Sequence, residues 1–232
     1  TAIYGSRGAN GVVLITTKSG RKGDAKIDLE VFTTISNVVQ KLPLMSPAEF
    51  AEGVNFAEGS EFFSPERIAE LRRGGGEDWQ DRLFTTGMAY NAQLSVSGGS
   101  DNVNYFISGN YFEQEGTIIN QDYKRFTLRT NLNADLTDKL KVGINSFASR
   151  EELTGDRANL AIGLTWDPTT PAFNEEGDYN FIPNIPGVGN GFLNPLIAPQ
   201  NNIRENFNNR LTISTYASYQ ILDNLELNIS GG

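Results

Sequence analysis

Apolar and polar residues alternate along several stretches of this chain with a period of two. The clearest stretch is 123–135, where every second residue from Phe126 to Ala134 is apolar or Thr and those between are polar or charged. A period of two is typical of strands that have one apolar and one polar face. The same alternation predicts seven strands in all, the others near 26–37, 89–98, 102–114, 140–150, 208–219 and from 225 onward.

The links between these predicted strands alternate in length. Tight, turn-like links cover 97–101, 135–139 and 220–224, whereas long links cover 38–88, 115–122 and 153–207. Short turns at one end and long loops at the other are typical of an outer-membrane β-barrel. A soluble β-sandwich could also have seven strands, but it has no reason to alternate its links so regularly.

The first long link contains signals for two short helices. Ser46-Pro47-Ala48-Glu49 is a capping box with Pro at the first helical position. Ser64-Pro65 predicts the start of a second helix, which Gly74-Gly75-Gly76 would end.

The N-terminal segment, TAIYGSRGANGVVLITTKSG, carries the most specific motif. The run Gly11–Thr17 is apolar and β-branched, which predicts a buried strand, and its glycines favour tight turns and close packing. The segment resembles the end of the plug domain of SusC/RagA-type TonB-dependent outer-membrane transporters. The plug-motif residues that carry this resemblance are Tyr4, Gly5, Arg7, Gly8, Asn10 and Gly11.

The resemblance continues into the predicted strands. Matching segments include Asp78-Trp79, 94–100, 104–108, 123–132 and 140–143. It implies an all-β fold: part of a large transmembrane antiparallel β-barrel, with the last strand of an internal plug and two short helices in a long loop. The expected division is the end of the plug and an exit linker at 1–23, and the first seven barrel strands with their loops at 24–232.

The same resemblance implies a transport function. The expected activity is TonB-dependent import of oligomeric nutrients, glycans or peptides, across the outer membrane of a Bacteroidota-type bacterium. The implied partners are a SusD-like surface lipoprotein, TonB through an N-terminal region missing from this sequence, the oligosaccharide or peptide substrate, and outer-membrane lipid. No cofactor and no enzymatic activity are expected.

Composition narrows the function further. The formal net charge is −9 with 19 basic and 28 acidic residues, which argues against a nucleic-acid partner. The chain has no Cys and no His, so thiolate chemistry and disulfides are excluded.

Three short motifs have chemical interpretations that we reject. Ser19-Gly20-Arg21-Lys22 fits S-x-x-K without its partner motifs, and the glycine-rich 187–191 follows a proline rather than a strand. Residues 175–178, Glu-Glu-Gly-Asp, lack the spacing of a calcium loop, so a solvated turn is favoured. We therefore predict no catalytic, cofactor or metal site.

Aromatic residues on the strands predict two bands. Tyr90, Tyr111 and Phe126 would lie near the long links, and Tyr105 and Tyr219 near the short ones. Bands of amphipathic rings are typical of membrane interfaces, although strands are ordinarily rich in aromatic residues.

The 153–207 link is the candidate recognition segment, because its aromatic residues lie among Asn, Gly and Pro. These surroundings look too polar for a core of their own, so contact with sugar rings or a partner protein is one interpretation. The other is that the rings only pack this link onto neighbouring loops. The candidate residues are Trp166, Phe173, Tyr179, Phe181 and Phe192.

Two alternative functions stay open at this point. One is a surface carbohydrate-binding β-sandwich, whose apolar faces would meet each other. The other is a siderophore-type TonB-dependent receptor.

Overall fold

The computed structural model describes residues 18–183, 185 and 193–232. The strands in this part of the chain are β1 (Gly23–Ser36), β2 (Gly87–Gly99), β3 (Val103–Glu115), β4 (Asp122–Asp135), β5 (Leu140–Thr154), β6 (Glu205–Leu222) and β7 (Leu225–Gly231). The helices are α1 (Pro47–Glu58), α2 (Pro65–Arg72), α3 (Trp79–Leu83), α4 (Leu160–Thr165) and α5 (Ile197–Asn201). The last strand of the predicted plug lies outside the described residues.

All seven strands form one antiparallel sheet in which each strand pairs with its neighbour in sequence. The strands β1 to β6 are 13 to 18 residues long. A tilted strand needs about 9–11 residues to cross the apolar part of a bilayer. These six strands are therefore long enough to cross and to extend beyond it.

The strand register places the apolar residues on one face of the sheet. One row across this face consists of Leu29, Leu94, Gly109, Leu128, Ala148 and Leu211. The leucines in this row are exposed, and none faces a second sheet in the part of the chain that the structure describes. A β-sandwich buries one face of each sheet against the other, so that alternative is wrong.

The opposite face is polar. The row one residue along from the leucines consists of Glu30, Gln93, Asn110, Thr127, Ser149 and Arg210. This is the concave face of the sheet, and it borders a cavity of about 920 Å³. The prediction of one apolar and one polar face is confirmed.

The links alternate in length as predicted. Residues 100–102, 136–139 and 223–224 connect strands at one end, and residues 37–86, 116–121 and 155–204 connect them at the other. The aromatic bands lie where the sequence placed them: Tyr111 is in register with Phe126 near the long links, and Tyr219 with Leu140 near the short ones. Their role at a membrane interface stays a prediction.

The first predicted helix has the local interactions that its sequence indicates. The Ser46 hydroxyl accepts from the Glu49 amide at 3.3 Å, and the Ser46 amide donates to the Glu49 carboxylate at 2.8 Å. The second bond stabilises the charged carboxylate and lowers the pKa of Glu49. The helix ends at Gly59, whose φ of 65° favours glycine.

The expectation of two helices was incomplete, because α3, α4 and α5 are also present. These three are five or six residues long, too short for a clear periodic pattern. None of the helices in the described ranges has the length and apolar character needed to span a membrane.

The segment that leads into β1 lies close to the sheet. A Cβ atom added at Gly20 would be 2.2 Å from the carbonyl oxygen of Tyr105 and 2.7 Å from that of Gly98. Lys18, two residues earlier, borders the cavity on the concave face. The chain therefore enters β1 past the backbone of β2 and β3, at a point that only glycine fits.

We expect Gly20→Val to destabilise this entry by about 1–3 kcal/mol, because the added side chain must displace backbone rather than a flexible side chain. The readouts are heat-modifiable mobility and the melting temperature of the folded protein in detergent. Ser19→Val, at an exposed neighbouring position, is the matched control. Equal stability of both variants would show that the close approach at Gly20 is not required.

Candidate functional site

The long links fold into one packed layer at one end of the sheet. We call the described parts of 37–86, 116–121 and 155–204 the cap. One buried cluster of the cap consists of Trp79, Leu83, Ala158, Trp166, Ala172 and Leu196. A second consists of Ala48, Ala51, Phe63, Leu71 and Ile185. Both clusters combine residues from the first and the last long link, so the two links share their cores.

The rings of Trp79 and Trp166 are the centre of the first cluster. Their centroids are 4.8 Å apart with an edge-to-face angle of 72°. Aromatic pairs in this geometry are more stable than their buried area alone predicts. Trp79 begins α3, whose N-terminus is capped by the Asp78 carboxylate, and this helix places the indole against the last long link.

Hydrogen bonds also connect the two links. The Arg67 guanidinium donates to the Thr169 carbonyl at 3.0 Å, and the Glu77 amide donates to the Pro168 carbonyl at 2.8 Å. The Glu77 carboxylate accepts from the Ala172 amide at 3.0 Å and forms an ion pair with Arg82. This pair raises the pKa of Arg82.

Buried polar side chains shape the turns of the last link. The Asp167 carboxylate accepts from the Thr169 amide and hydroxyl, both at 2.7 Å, and from the Thr170 hydroxyl. The Asn194 side chain donates to the Ala172 carbonyl at 2.8 Å and accepts from the Leu196 amide at 3.0 Å. Because buried polar groups are costly unless they are hydrogen-bonded, these two residues specify one conformation of the link.

The concave face has a different chemistry from the cap. Asparagine side chains bond to one another across strands: Asn110 donates to Asn91 at 2.9 Å, and Asn131 donates to Asn145 at 2.5 Å. Serine and threonine hydroxyls lie between them. The guanidinium of Arg125 lies 5.5 Å from the ring centre of Phe112. This face therefore offers neutral donors and acceptors together with cations.

The described residues contain no group of three or more acidic side chains that could hold a metal ion. Glu175, Glu176 and Asp178 are exposed in a turn, in which the Asp178 amide donates to the Asn174 side chain at 2.7 Å and Gly177 has a φ of 88°.

Comparisons with known proteins agree with this architecture. No family model matches the chain. The TonB-dependent receptor P3 of Formosa agariphila is 33% identical over 248 residues, an alignment that spans 100% of this chain and 23% of the relative. TonB-dependent receptor SusC of Bacteroides thetaiotaomicron is 32% identical over 204 residues, or 84% of this chain and 20% of SusC. The chain belongs to the TonB-dependent receptors.

The fold of this TonB-dependent receptor chain also matches a solved structure. The RagAB peptide transporter superimposes with a TM-score of 0.78 over 98% of this chain and 30% of the matched chain, at 21% identity. At that identity the likeness shows the fold alone. The chain spans about a quarter of the length of the curated relatives it matches, so the sheet is part of a larger receptor barrel.

The structure separates the predicted recognition residues of the receptor into two groups. Trp166 is only 5% exposed and is part of a core. Phe173 and Tyr179 are partly buried against the same cluster. These rings do not build a core by themselves, because the first long link supplies Trp79 as their partner. This agrees with the second interpretation, in which the rings pack the link onto a neighbouring loop. For Trp166 the structure favours packing.

Among the predicted residues that the structure describes, Phe181 stays accessible, with a relative exposure of 57%. Its ring lies 6.5 Å from that of Tyr179, which in turn lies 5.1 Å from Phe173. Phe192 and the plug motif (Tyr4, Gly5, Arg7, Gly8, Asn10 and Gly11) lie outside the described residues, so their roles stay predictions.

Sequence reasoning missed the residues that hold the cap of the receptor together. Asp167 and Asn194 look like ordinary loop residues in the sequence, and nothing local distinguishes them from exposed ones. Trp79 had a signal in the capping Asp78 before it, which predicts a helix start. That signal does not show that the helix packs on a segment about 90 residues later.

Proposed function

We propose that this chain is part of an outer-membrane importer that takes up oligomeric nutrients, glycans or peptides, with energy supplied through TonB. The observation that carries this proposal is the sheet itself: one continuous apolar face, one polar concave face, and a packed cap at one end. An apolar exterior suits contact with lipid, and a polar interior suits passage of a hydrophilic solute. The likeness to SusC and to a peptide transporter supports the same conclusion.

The last long link of the cap is proposed to face the outside of the cell and to contact a SusD-like lipoprotein, the substrate or both. Phe181, Ile182 and Leu193 are all more than half exposed on the last long link. Exposed aromatic and aliphatic side chains on a rigid support are typical of sites that bind partners or sugars. The tight packing behind them supports the proposal, because a preorganised surface loses less entropy on binding.

The proposed contact residues are Phe181 and the rings behind it. Tyr179 is held by hydrogen bonds of its hydroxyl with Gln200 and Asn201, and it packs against Phe173. These contacts fix the ring that supports Phe181. A flat ring bordered by amide side chains can stack on a sugar ring or on a peptide side chain.

Uptake by cells that express the full-length receptor tests this function. We expect these cells to accumulate a labelled oligosaccharide or oligopeptide, and we expect cells without TonB not to accumulate it. Phe181→Ala should reduce lipoprotein capture or uptake by about threefold to tenfold without lowering the amount of folded receptor.

Phe56→Ala is the matched control, because Phe56 is 90% exposed on α1 and outside the ring group. If the Phe181 variant captures the lipoprotein and takes up the oligomer as well as the wild type does, Phe181 is not part of the site. TonB-dependent uptake of a ferric siderophore, without any oligomer uptake, would support the siderophore-type alternative and contradict the proposal.

A further inference from the structure

Strand β4 carries two cations on the concave face, Arg125 and Arg129, that form no ion pair with any described residue. Arg125 and Arg129 point to the same face of β4. Their Cα atoms lie about 13 Å apart along the strand, since each of the four residues contributes about 3.3 Å. The two arginines border the cavity together with neutral side chains of β3, β4 and β5, among them Asn110, Asn131 and Asn145. We call Arg125 and Arg129 the arginine strip.

Each guanidinium of the strip is oriented by an aromatic ring rather than by a carboxylate. Arg125 lies 5.5 Å from the ring centre of Phe112, and Arg129 lies 5.2 Å from that of Phe147. A cation over a ring keeps its charge, and its N–H groups at the edge stay available for an acceptor. The rings therefore hold the guanidinium groups in place without neutralising them.

Arg125 has a donor with no acceptor. Its Nε atom is buried and makes no hydrogen bond within the described part of the chain. The acid directly opposite in the register is Glu151, but the Asn208 side chain donates to its carboxylate at 3.2 Å, and no ion pair joins it to Arg125. Because an unsatisfied buried donor is costly, we expect this N–H to have an acceptor in the full-length receptor, and a bound ligand can supply one.

The charge of the strip contrasts with the rest of the protein. The chain has a net charge of −9, whereas the cavity is lined by three cations, Lys18, Arg125 and Arg129, and by two acids. One acid, Glu151, is on β5 beside Arg125, and the other, Glu30, is on β1, three strands away from β4. Arginine binds planar carboxylates through paired hydrogen bonds, and it does so best where water is partly excluded. Charge complementarity therefore points to an anionic ligand.

We propose that the arginine strip binds carboxylate groups of the imported oligomer, so that the receptor prefers an acidic oligosaccharide or an acidic peptide. This proposal rests on the import function above and specifies its substrate class. Two arginines about 13 Å apart along β4 match a ligand with several carboxylates rather than a single small acid. The cavity of about 920 Å³ is within the usual size range of ligand sites.

The test is a binding measurement with the full-length receptor in detergent, by isothermal titration. One pair of probes is an oligogalacturonate and a neutral malto-oligosaccharide of the same length, and the other is a Glu-containing peptide and its Gln counterpart. Wild-type receptor should bind one of the acidic probes at least tenfold more tightly than its neutral counterpart. Arg125→Gln and Arg129→Gln should each raise the Kd of that acidic probe about tenfold or more and leave the Kd of the neutral one unchanged.

Arg150→Gln is the matched control. Arg150 lies 5.3 Å from the ring centre of Phe207, in the same kind of contact, but it is in register with Phe126 on the outward face. The Arg150→Gln receptor should bind the acidic probe with the same Kd as the wild type.

Three results would overturn the proposal. The first is a wild-type receptor that prefers neither acidic probe to its neutral counterpart. The second is an equal loss of affinity for acidic and neutral probes in the strip variants. The third is a loss of affinity in Arg150→Gln that equals the loss in the strip variants. Reduced protease resistance of the strip variants with unchanged binding would also overturn it, since the arginines would then hold another part of the receptor. Binding in detergent needs no TonB, so these results are separate from the uptake assay that tests the import function.

Discussion

Replacing Trp166 with Ala should open the cap and leave the sheet assembled. The indole is almost fully buried and packs edge-to-face on Trp79 at 4.8 Å, so its removal leaves a cavity between the two long links. Large-to-small substitutions of buried aromatic residues cost about 3–5 kcal/mol. Because the hydrogen bonds of the strands lie outside this cluster, the loss should be confined to the cap.

Hydrogen exchange of the full-length receptor in detergent measures this effect. Amides in α3, in α4 and around Leu196 should lose protection in the variant, while those in β3 to β5 keep it. Phe56→Ala removes an exposed ring from the same cap and should change the protection of these amides little. Unchanged exchange in Trp166→Ala would mean that the two links do not share a core.

Replacing Leu128 with Arg should block assembly of the barrel. Leu128 lies in the middle row of the apolar face, between Gly109 and Ala148 in the register. An arginine at the bilayer midplane on the lipid-facing side of a barrel costs about 2–4 kcal/mol. Leu132→Arg places the same charge on the same face of the strand, and it should also block assembly.

The adjacent residue on the other face is the control. Arg129→Leu removes a charge from the concave face and should leave the amount of folded receptor unchanged, even where it alters binding of an acidic ligand. Heat-modifiable mobility and surface labelling measure assembly for both variants. Equal damage from Leu128→Arg and Arg129→Leu would mean that the apolar face does not contact lipid.

Deletion of residues 174–192 would be a poor test of recognition by the last long link. Residues 174–192 include Tyr179, which packs on the first cluster, and Ile185, which is buried in the second. Their deletion would remove part of both cores. Single substitutions at exposed positions such as Phe181 are therefore the better probes of recognition.

The strands could be predicted closely because each one depends on short-range information. The alternation through 123–135 placed β4 within one residue of its observed bounds, and the Ser46 capping box placed the start of α1. The short helices were missed because five or six residues give no periodic signal. The sequence could not divide the candidate recognition residues into buried and accessible ones, because the residues around Trp166 do not show what packs against it.

The sequence by itself determined the two-faced strands, their order through alternating short and long links, and the resemblance to a receptor family. These properties follow from a period of two and from turn residues that act over a few positions. Only the tertiary structure decided which of the described loop aromatics are core and which are accessible, and that Arg125 and Arg129 form no ion pair with the described residues of the concave face. Burial and pairing depend on residues far apart in the chain, as Trp79 and Trp166 are, and no local pattern encodes such a contact.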